Sequence, residues 1–258
     1  MKATIIITRQ KEEAHSFITM LEQHGHKIIL LPMIKIEEPS SWEQCDREIN
    51  NMNRYDGVIF TSSHAAVSFL NRMSEVSSVE KLQSSILFAI GEKTQSTINK
   101  FHLNCYSLPE EHTAHGLAEQ IAKSHPHIKR LLFPKGDLAG DHIDRMLCNK
   151  GIEVTSIIVY RNIKAEVDNA DKKEMCEKLN SNEFKIITFF SASAVTNFVA
   201  IFPALHSYTN TFFAVIGETT KKAVMEHGLN VSIIPSKPAS EEFATAIILF
   251  IESIHSLH

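Results

Sequence analysis

Ile90-Gly91-Glu92-Lys93-Thr94 returns 126 residues later as Ile216-Gly217-Glu218-Thr219-Thr220. Each copy runs from an apolar strand end through a glycine into a polar helix start. The same offset carries Leu117-Ala118 and Ile121 onto Phe243-Ala244 and Ile247, and Gly25 onto Gly151. Three residues more carry Phe60-Thr61-Ser62 onto Phe189-Phe190-Ser191. A repeat of that length in 258 residues predicts two similar lobes with a cleft between them. Clefts between lobes are where ligands bind.

Outward from these copies, short β-branched runs alternate with segments of helical period. The strands are expected at Ala3–Thr8, Ile28–Ile36, Tyr55–Thr61, Ile86–Gly91, Arg130–Pro134, Lys185–Phe190, Phe212–Gly217 and Val231–Pro235. Helices are expected at Lys11–His24, Ser63–Met73, Glu92–Phe101, Ala114–Ser124 (capped by Thr113), Ala139–Lys150, Ala192–Phe202, Thr219–His227 and Glu241–Ser253. Regular alternation of this kind predicts an α/β fold: two similar doubly wound lobes of parallel sheet, joined by two extended crossing segments.

Ile34-Lys35-Ile36-Glu37-Glu38-Pro39 and Val159-Tyr160-Arg161-Asn162-Ile163-Lys164 are equivalent under the repeat, both extended and both turning polar. If the chain crosses there, one lobe is 1–35 plus 164–258 and the other 40–160, with crossings at 36–39 and 161–163. Two contiguous halves, near 1–127 and 128–258, are the other division the sequence permits.

Composition narrows the function. The net charge of −4 and pI near 6.4 argue against a nucleic-acid partner, which shows as a basic excess. No apolar run approaches the roughly 18 residues of a membrane span, and the opening apolar run is too short for a signal segment. Cys45, Cys105, Cys148 and Cys176 are irregularly spaced with no CxxC, as reduced thiols of a cytoplasmic protein are. The fourteen histidines do not recur with the carboxylate or cysteine partners a metal site needs, so no metal is expected. A P-loop reading of Gly91-Glu92-Lys93-Thr94 fails, because Ile86 stands where the first glycine must be.

Strands that end directly in Ser, Thr or Gly before a helix place free helix N–H groups and hydroxyls at one sheet edge. That is an anion site built from partial charges. Thr61, Ser62 and Ser63, with Ser191 and Ser193, form one pair of such edges; Gly91 and Thr94, with Gly217, Thr219 and Thr220, form the other. Each serine or threonine is equally an ordinary N-cap, worth about 0.5–2 kcal/mol to its helix. Arg9 and Lys135 are equivalent, and stand where a cation meets an acidic ligand group or solvent. Tyr160 ends a strand at the crossing where its counterpart is Ile34, and a phenol there can donate a proton or simply pack.

This ordered set resembles the uroporphyrinogen-III synthase family. The resemblance rests on Thr8-Arg9, Pro32, Asp56-Gly57-Val58-Ile59-Phe60-Thr61-Ser62, Ala89-Ile90-Gly91 with Thr94, Thr113-Ala114 with Gly116-Leu117, and Leu132-Phe133-Pro134-Lys135-Gly136-Asp137. It continues through Gly151, Val159-Tyr160-Arg161, Thr188-Phe189-Phe190-Ser191 and Ile216-Gly217 with Thr220. It implies an enzyme without cofactor or metal that acts on a small tetrapyrrole; a monomer with neither nucleic-acid nor membrane partner is the expectation for the chain. The linear hydroxymethylbilane loses its terminal hydroxyl and closes into uroporphyrinogen III, with its last ring inverted through a spiro intermediate. The substrate carries eight carboxylates, which suits helix N-termini. Tyr160 carries over as the group assisting hydroxyl loss, and Ser62, Thr94, Ser191 and Thr220 as carboxylate holders. Lys135 stands where the family commonly has arginine, and lysine is a point charge rather than a bidentate fork. Two readings compete with this one: a two-lobed binding or sensor protein for a small polyanion without chemistry, and a nucleotide-dependent transferase, which lacks a phosphate loop.

Overall fold

Thr4–Ile7 forms the first strand, and all four of its residues are buried. Ile5 and Ile7 face one apolar cluster and Ile6 faces another. A strand covered on both faces needs an unbroken apolar run, which is how a parallel sheet reads in sequence. The computed structural model describes residues 2–108, 114–204, 208 and 210–255. Thr113, expected as a helix cap, lies outside the described residues.

In chain order the strands are β1 (Thr4–Ile7), β2 (Lys27–Leu30), β3 (Ile34–Glu37), β4 (Gly57–Phe60), β5 (Ile86–Ile90), β6 (Tyr106–Leu108), β7 (Arg130–Gly136), β8 (Glu153–Lys164), β9 (Lys185–Phe189), β10 (Thr211–Val215) and β11 (Val231–Ile233). The helices are α1 (His15–Gln23), α2 (Glu43–Asn50), α3 (Ser63–Val76), α4 (Glu92–Asn99), α5 (Ala114–Ser124), α6 (His142–Asn149), α7 (Asn169–Asn180), α8 (Ala192–Ile201), α9 (Glu218–Glu226) and α10 (Ser240–His255). The chain divides into two units: Met1–Lys35 with Ile163–His258, and Ile36–Asn162.

The first unit holds a five-stranded sheet in the order β11-β10-β9-β1-β2. Its neighbouring strands are parallel. One face is covered by Phe17 and Leu21 of α1 with Phe243 and Ile247 of α10. The other is covered by Val195 and Phe198 of α8 with Val224 of α9. Phe17 meets Phe243 and Phe190 with ring centroids 5.3 and 5.1 Å apart. A buried side chain of this size stabilises by about 1.5–3 kcal/mol.

The second unit holds six strands in the order β3-β8-β7-β4-β5-β6. Ala65 and Phe69 of α3, Ile98 of α4 and Ile49 of α2 cover one face; Leu117 and Ile121 of α5 with Leu147 of α6 cover the other. In each unit the chain winds outward from a central strand, then returns to that strand's far side. The strand order therefore reverses between β4 and β7, and between β9 and β1. In sheets of this type ligands bind beyond the carboxyl ends of the strands at such a switch point.

Three expectations need correction. The single strand at Ile28–Ile36 is two strands in different sheets, β2 and β3. Pro32 has no N–H to continue a ladder, and Leu31 and Met33 donate back to Ile7 and Thr8 instead. The helix expected from Lys11 opens as a 3-10 turn at Lys11–Glu13, and α1 starts only at His15. Neither Gln10 nor Ala14 caps a helix end through its side chain. The helix expected from Ala139 likewise starts at His142.

Candidate active site

Ser62 is the N-cap of α3, and its Oγ accepts from the backbone N–H of Ala65 at 3.1 Å. The same Oγ lies 3.5 Å from the Tyr160 hydroxyl, either group able to donate. Thr61 and Ser63 flank it, all three half-exposed. Tyr160 reaches this point through a fault in its strand. Lys135 pairs with Ile158 and Gly136 with Tyr160, so Val159 is an extra residue on β8. Ile157 and Val159 are buried in the core beneath α3, and Tyr160 packs against that same core. A β-bulge re-aims one side chain in this way; here it turns the phenol onto the face that carries Ser62.

The ring lies flat against Gly136. A Cβ at that position would meet the Tyr160 ring carbon Cζ at 2.5 Å and its hydroxyl at 2.7 Å. Only glycine leaves that space, which is a close-approach role rather than a conformational one. His64, the second residue of α3, stands with its ring centroid 5.9 Å from that of Tyr160. Asp137 follows, accepting from the backbone and side-chain N–H groups of Asn162 at 2.9 and 3.0 Å. These bonds hold the end of β7 to the end of β8.

Gly91 ends the neighbouring strand, β5, in a left-handed conformation (φ 79°) and opens α4. Thr94, at the third position of that helix, is buried, with 4% exposure. Lys135 projects to the opposite sheet face from Gly136. Its Nζ donates to Asp144 at 3.0 Å and Asp141 at 3.4 Å, and lies 5.5 Å from the centre of the Phe133 ring. Its charge is answered by α6 and does not join the Tyr160 group.

In the first unit Ser191 caps α8, accepting from Ala194 N–H at 3.2 Å, and its hydroxyl lies 3.2 Å from that of Ser193. Gly217 opens α9 with an extended backbone (φ −176°), which any residue adopts. A Cβ there would make only ordinary contact with Pro238, at 3.6 Å. Thr219 is exposed, while Thr220 is buried to the same 4% as Thr94. Arg9 follows β1 and folds back on its own turn: Nε donates to Glu13 at 2.5 Å, and the guanidinium lies 5.2 Å from the Phe190 ring centre.

The structure brings Ser62 and Tyr160 together beside the switch point of one unit and sets Ser191 at that of the other. Gly91 with Thr94, and Gly217 with Thr219 and Thr220, open the helices that follow the next strands out, and Lys135 turns away. Sequence reasoning missed Gly136, His64 and the Val159 bulge. In the sequence Gly136 is only one member of the run Pro134-Lys135-Gly136-Asp137. The signal for the bulge was the run Ile157-Ile158-Val159-Tyr160, whose apolar character gives no period-2 alternation to slip against. No helix among the described residues is long and apolar enough to cross a membrane, and no group of metal-ligating side chains is present among them.

The sequence matches the family model described as uroporphyrinogen-III synthase HemD over residues 15–244. It is 25% identical over 246 residues to the uroporphyrinogen-III synthase of Chlorobaculum parvum, covering 95% of this chain and 97% of that one. Against the uroporphyrinogen-III synthase of Schizosaccharomyces pombe it is 22% identical over 261 residues, covering 98% of each. Among solved structures it is similar to the Helicobacter pylori uroporphyrinogen-III synthetase, with a TM-score of 0.67 at 19% identity over all of both chains. It is also similar to a mutant uroporphyrinogen III synthase from Thermus thermophilus, with a TM-score of 0.61 at 14% identity over 97% and 99% of the two chains. At such identities the structural likeness speaks for the two-lobed α/β fold alone.

Proposed function

The chain belongs to the uroporphyrinogen-III synthase family, and we propose that Tyr160 and the capped strand ends of each unit carry out the family's reaction. The protein is a cyclising lyase: it converts hydroxymethylbilane to uroporphyrinogen III with loss of water and inversion of the last ring.

The C–O bond of the terminal hydroxymethyl group breaks as its oxygen takes a proton, and water leaves. The electron-poor methylene carbon that remains is stabilised by its pyrrole nitrogen. Attack by the substituted carbon of the last ring gives the spiro intermediate, from which the inverted ring closes. Hydroxymethylbilane also closes unaided to the non-inverted isomer, so the protein's main task is to hold the chain in the conformation that favours the other attack. Tyr160 assists departure of the hydroxyl, with Ser62 orienting the phenol. Thr61, Ser62, Ser63, Gly91 and Thr94 in one unit hold substrate carboxylates with their hydroxyls and first-turn N–H groups. Ser191, Ser193, Gly217, Thr219 and Thr220 do so in the other. Burial of Thr94 and Thr220 makes the backbone N–H groups around them the donors at those edges. Arg9 is half-exposed beside Phe190, so it serves a carboxylate only by sharing its charge with Glu13.

One observation carries the assignment of Tyr160. Its phenol is set by a bulge over a glycine, within 3.5 Å of an N-cap hydroxyl at a switch point. The test feeds the protein fresh hydroxymethylbilane and resolves the uroporphyrinogen isomers. Isomer III in excess over a blank is the expected result. Only isomer I, as without protein, would overturn the activity and leave a binding protein in its place.

A further inference from the structure

Beside the end of β8 lies a hollow of about 470 Å³, within the range of small-ligand sites, whose lining includes Ser40, Ser41, Arg47 and Arg161. Asp137 lines it as well. Two of these residues are chain neighbours of the site already described: Arg161 follows Tyr160, and Asp137 follows Gly136. Arg161 is oriented by its Nε, which donates to the Glu38 carbonyl at 3.1 Å, while its Nη2 is 3.8 Å from Glu37, beyond hydrogen bonding. Arg47 also uses Nε, toward Glu48 at 3.4 Å. A guanidinium has five N–H donors in a planar fork, so a contact through Nε leaves outer N–H groups to face a ligand, with Nη2 of Arg161 sharing its charge with Glu37.

Two acidic residues share the lining. Asp137 directs Oδ1 at Asn162, and Glu43 is exposed at the first turn of α2. Glu48 and Glu37 also stand beside Arg47 and Arg161, so the hollow holds an anionic group by directed hydrogen bonds rather than by net charge, with room for one only. Its planar donors and serine hydroxyls match a carboxylate.

We propose that this hollow seats one carboxylate arm of the tetrapyrrole, gripped by Arg161 and Arg47, while a pyrrole ring lies against Tyr160. The proposal rests on the synthase reading and adds two specificity-determining cations, of which Arg47 belongs to no repeat or motif and Arg161 is given a role beyond its place in one. Because the two arginines hold a carboxylate arm and not the leaving hydroxyl itself, they affect binding rather than the bond-breaking step.

The experiment measures initial rates over a range of hydroxymethylbilane for Arg47→Gln, Arg161→Gln and Arg161→Lys, at low and high salt, with isomers resolved. Each glutamine variant should raise KM about tenfold, the loss expected for one charge-assisted contact. Its kcat should change less than about twofold, and its KM should depend less on salt. Arg161→Lys should recover only part of the loss, since a point charge cannot grip both oxygens. A second readout is the chain's single tryptophan, Trp42, which lies between the lining residues Ser41 and Glu43. Uroporphyrin, with its eight free carboxylates, should quench Trp42 fluorescence in the wild type and more weakly in the glutamine variants; its fully esterified form should not. Unchanged KM and unchanged quenching in both glutamine variants, with wild-type protein still giving isomer III, would overturn the proposal alone. Wild-type protein giving only isomer I would overturn the synthase reading instead. A glutamine variant that melts early is judged by quenching below its melting temperature.

Discussion

The strand pair at each switch point is built twice from one plan, and the two copies end differently. In one unit β4 lies beside β7, and the edge carries Ser62, Gly136 and Tyr160. In the other β9 lies beside β1, and the equivalent residues are Ser191, Gln10 and Ile34. Both serines cap a helix in the same way. Where the first copy has a glycine under a phenol, the second has Gln10 donating to the Ile34 carbonyl at 3.3 Å. The repeat thus supplies two capped strand ends, and of the equivalent positions Tyr160 and Ile34 only the first carries a phenol. The difference reaches the backbone: Pro32 breaks its copy into β2 and β3, while Ile158, its counterpart, lets β8 run twelve residues.

Replacing the phenol is the hardest test of this asymmetry. Tyr160→Phe should lower kcat by roughly 10²-fold, the low end for a positioned proton donor, while Ile34→Phe in the other copy leaves kcat within about twofold. Initial rates with isomer analysis decide it, and unchanged turnover in Tyr160→Phe would remove the acid role. Next in size is Gly136→Ala. Its Cβ must displace the tyrosine ring, so it should cost about 1–3 kcal/mol of stability and reduce kcat about tenfold, through misplacement of a reacting group. Gln10→Ala should change stability by less than about 1 kcal/mol, as a half-buried hydrogen bond does. Thermal melting alongside kinetics separates the two.

The capping serines sharpen the comparison further. Ser62→Ala and Ser191→Ala should each destabilise by about 1 kcal/mol. Only Ser62→Ala should also lower kcat, because it alone removes a partner of Tyr160. Equal kinetic losses in both would mean that the caps act only through carboxylate binding.

The smallest effect lies at the other end of the same strands, where Asp56 and Lys185 are equivalent (185 − 56 = 129). Backbone N–H groups of Lys129, and then of Arg130, hold the Asp56 carboxyl below its usual value. A depressed carboxyl lends stability above the ordinary carboxylate range and loses it as pH falls through the folded value. Asp56→Asn should flatten the acid limb of a plot of urea midpoint against pH. Burial pushes the Lys185 ammonium down from 10.5, with Glu183 opposing. A folded chain that prefers the neutral amine gains stability as pH rises from that lowered value toward 10.5, and Lys185→Met should abolish the rise. A Lys185→Met curve that keeps its alkaline limb would show that another group titrates there.

The alternation of strands and helices was legible because buried parallel strands are apolar runs, and Gly91 and Ser62 punctuate them. The helices α2 and α7 were not. Asn169–Asn180 buries only Met175 and Leu179, so its apolar stripe is two residues among charges and gives no period. Tyr160 and Ser62 could be named from the sequence, whereas their contact could not. It depends on a register shift at Val159 that apolar neighbours conceal. Lys135 shows the reverse: its place in the repeat was plain, but Asp144, nine residues on, claims it through a helix whose facing residues no short-range pattern reveals.

Because β1 pairs with β9, Thr4 finds its neighbour in Lys185, 181 positions later (185 − 4 = 181). Ribosomes add about 5–20 residues per second, so β1 waits on the order of 10–40 s with one hydrogen-bonding edge unpaired. Meanwhile Ile36–Asn162 holds all its own strands and is fully made. During synthesis the unit bearing Tyr160 is thus poised to mature first, and β1 is sheltered only after it, a window in which a holding chaperone would find Ile5, Ile6 and Ile7.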